Sequence, residues 1–78
     1  MKLRNRIAFF DTDTKEIIVS VAIYTDDYWY KILTESKANI TGKMRMRESD
    51  ALEYYNNEVA GIRKSLIERQ IIFTSHES

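Results

Sequence analysis

The chain has 78 residues, no cysteine and a single histidine, His76, so neither a disulfide framework nor a thiolate metal site can hold it together. Twelve acids balance twelve bases, which argues against a dedicated nucleic-acid binder, usually basic overall, and favours association over colloidal solubility. Apolar residues at 44% and charged residues at 31% suit one folded domain over 1–78, and a domain near this size buries only roughly 60% of its unfolded surface, so it leans on packing quality or oligomerisation.

Residues 3–10, LRNRIAFF, and 16–24, EIIVSVAIY, read as strands from their β-branched and apolar runs. The polar DTDTK between them is rich in turn formers and far too short for a parallel crossover, which predicts an antiparallel hairpin. After the turn signal Thr25-Asp26-Asp27, residues 28–35, YWYKILTE, have strand composition. The alternative there is a short helix within 27–38, capped by Asp26 and turning Trp29, Ile32 and Leu33 inward. Residues 40–47, ITGKMRMR, alternate from Lys43 onward, with Met44 and Met46 on one face and Lys43, Arg45 and Arg47 on the other.

A helix is predicted over 49–70. Leu52, Tyr55, Val59, Ile62 and Leu66 are spaced 3, 4, 3 and 4 apart, which keeps them on one face at 3.6 residues per turn. Ser49 or Asp50 is the expected N-cap, with Glu53 completing a capping-box variant. The following IIFT, 71–74, either adds a short strand or tucks under the sheet, and 75–78 are expected to fray. The fold class is therefore α+β, an antiparallel meander of three or four strands packed against one long C-terminal helix. No apolar run approaches the roughly 20 residues of a membrane span. The four apolar residues before Asp11 fall short of the about 7–15 of a signal-peptide core. The expectation is a cytoplasmic protein without a membrane partner, in which the sequon Asn39-Ile40-Thr41 is a chance match.

The run IAFFDTDT, 7–14, resembles the first motif of the haloacid-dehalogenase-like phosphohydrolases. That resemblance would make Asp11 the nucleophile and Asp13 a general acid/base beside Mg²⁺. The family needs a parallel sheet with a helix after this loop, and a strand starting at Glu16 leaves no room for the crossover. The run therefore reads as a solvated hairpin loop. A calcium loop starting at Asp11 fails for want of a Gly at its sixth position and a Glu at its twelfth. No acid/base pair with a supporting partner is visible, so no catalytic residue, metal ligand or cofactor is assigned.

Two binding readings remain. Lys43, Arg45 and Arg47, with Tyr28 and Tyr30 on the neighbouring strand, would suit phosphate contact and base stacking on single-stranded nucleic acid, although a charged solvent face is ordinary for a strand. The second rests on surplus apolar surface. A helix over 49–70 is about 33 Å long and about 10 Å wide and covers one sheet face, while both faces of the predicted strands carry apolar residues. Either the IIFT segment or a helix near 27–38 covers the second face, or that face is exposed and marks a binding site. The residues expected to meet a partner are Phe10, Tyr24, Trp29 and Leu33. Tyr54 and Gly61 join them, because Gly61 lies about 140° round the helix from its apolar face and forms a notch with Ser65. The leading expectation is a small non-catalytic protein-interaction module, a homodimer or the inhibitor or adaptor of a larger protein. In size and architecture the chain resembles small accessory and anti-defence proteins of bacteriophages, some anti-CRISPR proteins among them.

Overall fold

The computed structural model describes residues 1–78. Its elements in chain order are β1 (Lys2–Asp11), β2 (Ile17–Asp26), β3 (Trp29–Ser36), β4 (Ile40–Met46), α1 (Glu48–Glu68) and β5 (Phe73–Glu77). They form one five-stranded antiparallel sheet of order β4-β3-β2-β1-β5 with the helix across one face, an α+β fold. The first four strands make the expected meander, and residues 29–36 are strand rather than helix. The fifth strand realises the added-strand alternative for the segment after the helix, over Phe73–Glu77 rather than 71–74. The segment after the helix does not fray at 75–78, because it pairs along the free edge of β1 and ends in two backbone bonds between Arg6 and Ser78.

Each turn has a local cause. In the β1–β2 loop the Asp11 carboxylate accepts from the backbone N–H groups of Asp13 (2.8 Å) and Thr14 (3.1 Å), an Asx turn. Lys15 then takes the left-handed conformation at φ 62. Two residues, Asp27 and Tyr28, join β2 to β3, and the left-handed φ of 51 falls on Asp27, a residue type whose short polar side chain tolerates it. The β3–β4 loop closes by Ser36 N–H donating to the Asn39 carbonyl at 2.8 Å.

The helix begins one residue before the predicted start. Arg47 is its N-cap without a side-chain bond, so neither Ser49 nor Asp50 caps it. Glu48 and Asp50 instead place acids in the first turn, where the helix dipole favours them. The helix ends at Glu68, short of the predicted 70, in a Schellman motif. Ile71 N–H donates to the Leu66 carbonyl and Gln70 N–H to that of Ile67, with Gln70 left-handed at φ 59. The apolar contact that usually accompanies this motif is present, since Ile71 packs against the core that contains Leu66.

Between helix and sheet lie Ile7, Phe9, Val21, Ile23, Tyr30 and Ile32 from the strands and Ala51, Tyr55 and Leu66 from the helix. Phe9 is fully buried and meets Phe73 edge to face, ring centroids 5.6 Å apart. From the helix side, the Arg63 guanidinium lies 5.3 Å above the same ring. The apolar stripe of the helix is rotated from the predicted one. Leu52 is 41% exposed while Ala51 is buried, and Val59 and Ile62 are half-buried. The small Ala51 lets the first turns sit close over the sheet, and the long Leu52 is left on the flank.

Candidate functional site: the uncovered sheet face

Cross-strand register decides which side chains share the second face, because directly paired residues project to the same side. Three rows run across the sheet there. Glu35 pairs with Ser20, which pairs with Ala8, which pairs with His76. Gly42, Leu33, Ala22 and Arg6 form the next row. Lys31, Tyr24 and Leu3 form the third. A bulge on β2 skips Ile18 and sets Ile17 opposite Phe10, which brings an additional isoleucine to this face.

No element lies over these residues. The post-helix segment is an edge strand and 29–36 is β3, so both covers considered from the sequence are excluded. The centre is nevertheless closed to water: Ala8, Ser20 and Ala22 are buried, Ala22 at 4% exposure. Small side chains in the middle are shielded by larger half-buried neighbours, Phe10, Tyr24 and Leu33. Leu3, Ile17 and Trp29 stand more exposed around them. The face is thus a shallow apolar dish with a charged margin. On one side Arg6, Glu16, Glu35 and Lys37 surround a hollow of about 430 Å³, and Lys37 pairs with Glu16 at 2.9 Å.

Phe10, Tyr24, Trp29 and Leu33 are therefore brought together on one surface. Tyr54 and Gly61 are not among them, since both belong to the helix on the opposite side of the sheet. Tyr54 packs partly against the core, and a Cβ built on Gly61 meets no atom within 4 Å.

The basic ladder does not assemble. A bulge on β4 sets both Met44 and Arg45 against Lys31, with Arg45 left-handed at φ 60. Lys43 then pairs with Ile32 and faces the helix side, Arg45 stacks 5.4 Å over Trp29, and Arg47 is the helix N-cap. Tyr30 is buried at 7% exposure, its hydroxyl 3.5 Å from Arg4, and Tyr28 stands alone in the β2–β3 turn. The extra residue defeats the alternation that the letters suggest. Asp11 and Asp13 sit in the hairpin loop, where Asp11 is engaged by backbone N–H groups. Nowhere do three or more His, Asp or Glu side chains gather as a metal site, and no helix is long and apolar enough to cross a membrane.

Sequence reasoning missed the face's organisation, above all the buried small residues Ala8, Ser20 and Ala22. The signal was present in the pattern: Ala8 and Ser20 stand in adjacent strands among large apolar residues. Comparison with known proteins finds no family model, no curated protein and no solved structure that matches the chain.

Proposed function

We propose that this protein is a non-catalytic interaction module that works by docking another protein surface onto the uncovered face of its sheet. The observation that carries the reading is the apolar dish itself, with Phe10, Ile17, Tyr24 and Leu33 around a buried small-residue centre and no layer above it. Exposed contiguous apolar surface of this kind marks interaction sites in soluble domains, and aromatic anchors set around a dry centre resemble the cores of protein interfaces. The docked surface belongs to a second copy or to a larger protein that the module inhibits or adapts, as in the small phage accessory proteins it resembles in size and build.

The test is binding of an environment-sensitive apolar dye together with sedimentation of the folded chain. Dye bound by the folded chain and lost in Leu33→Glu supports the docking face. A folded chain that sediments as a monomer and binds no dye overturns it.

A further inference from the structure

Resting on that reading, we infer that the occupant of the open face is a second copy of this chain, packed face to face about a two-fold axis that crosses the strands at the level of Ala22 and Leu33. The register supplies the reason. In β3 the outward residues are Lys31, Leu33 and Glu35, and in β2 they are Tyr24, Ala22 and Ser20, paired in that order. In β1 Leu3 pairs with Tyr24 and Ala8 with Ser20. One row to either side of the Ala22–Leu33 row, these three strands therefore carry opposite properties: a cation against an acid in β3, and a large apolar residue against a small one in β2 and β1.

A two-fold axis along that row exchanges the outer rows. It lays Lys31 over the other copy's Glu35 and Tyr24 over its Ser20. It also lays Leu3 over its Ala8, and Leu33 over its own equivalent. Large side chains enter the places where small ones leave room, and unlike charges meet at both ends. Such self-complementarity is what an isologous interface requires, and charges so placed fix its register. Arg6 ends the axial row, where it faces its own counterpart at the margin and lines a hollow with Glu16 and Glu35.

The dimensions agree. Five strands about 4.8 Å apart, of 10, 10, 8, 7 and 5 residues, cover roughly 24 by 26 Å. That footprint is of the same order as the roughly 800 Å² per partner of a standard stable interface. The product is a four-layer helix–sheet–sheet–helix dimer, in which two aligned sheets pack about 10 Å apart.

Sedimentation equilibrium tests the arrangement through charge reversal. Lys31→Glu alone and Glu35→Lys alone each set like charges across the interface and are expected to weaken self-association about ten-fold or more. The double variant Lys31→Glu/Glu35→Lys restores the pairing and is expected to recover most of it. Ile67→Glu, on the exposed outer flank of the helix, is expected to have no effect. Loss of association in Ile67→Glu, or two single reversals that weaken it with no recovery in the double variant, overturns the two-fold. A wild-type chain that is strictly monomeric at sub-millimolar concentration also overturns the second copy. If that monomer binds the apolar dye in a Leu33-dependent way, the docking face stands with a different occupant, and if it binds none, both readings fall.

Discussion

Asp11 shows how much a single carboxylate's meaning depends on its neighbours. In the letters it begins a nucleophile motif, while in the fold it accepts two backbone bonds and shapes the β1–β2 loop. Asp11→Asn keeps the accepting oxygen, so its thermal unfolding is expected to stay near that of the wild type. Asp11→Ala removes the acceptor and is expected to cost about 1 kcal/mol. Equal losses from both would mean that the charge, not the turn, matters. Tyr55 is the residue-scale oddity of the core. Its hydroxyl is buried with no hydrogen-bond partner, and burial pushes its phenol above the ordinary range of about 10, with the Glu77 carboxylate adding to the push. Tyr55→Phe is therefore expected to be neutral or stabilising. The sign of the pH effect follows from proton counts. Above about pH 10 the unfolded chain gives up this proton while the folded chain retains it, so stability falls as pH rises, until the folded phenol ionises too. Alkaline melting curves should show a decline that is smaller in Tyr55→Phe, and an identical decline in both would assign it to other groups.

At the scale of elements, most of the fold is legible because period and composition agree. The β1–β2 hairpin, the β4 segment and the helix each announce themselves by their pattern. The structure departs from the letters where one residue changes the phase. A bulge at Arg45 turns Lys43 to the helix side and dissolves the ladder. Tight packing at Ala51 rotates the helix stripe away from Leu52. The fifth strand was ambiguous because its pairing is entirely long-range: Phe73–Glu77 has an ordinary polar sequence and gains its structure from the edge of β1. The buried dish was harder still to read, since which alanines and serines meet across strands is a matter of register. Two helix positions make an element-scale prediction. Gln70 is held left-handed at the helix end, where glycine has no steric penalty, and Gly61 is an exposed helical glycine. Gln70→Gly and Gly61→Ala are each expected to raise stability, by up to about 1 kcal/mol, with self-association unchanged. Weaker association in Gly61→Ala would show that the helix's outer face is an interface after all.

The whole molecule is lopsided. One sheet face has a helix, a nine-residue buried cluster and the edge-to-face pair of Phe9 and Phe73, while the other has an apolar dish and nothing above it. A chain of this size with a single exposed ion pair, Lys37 to Glu16, draws little stability from charge and much from burial, so covering the second face would add what one helix cannot. Sedimentation equilibrium of Ala22→Arg reads whether a second copy provides that covering. Arginine at the middle of the dish forces bulk and like charge into any docked surface, and circular dichroism, with Leu33→Glu as a second variant, checks that the chain still folds. A self-associating wild type and a folded, monomeric Ala22→Arg are expected; a folded variant that associates as strongly as the wild type would mean that no second copy covers this face.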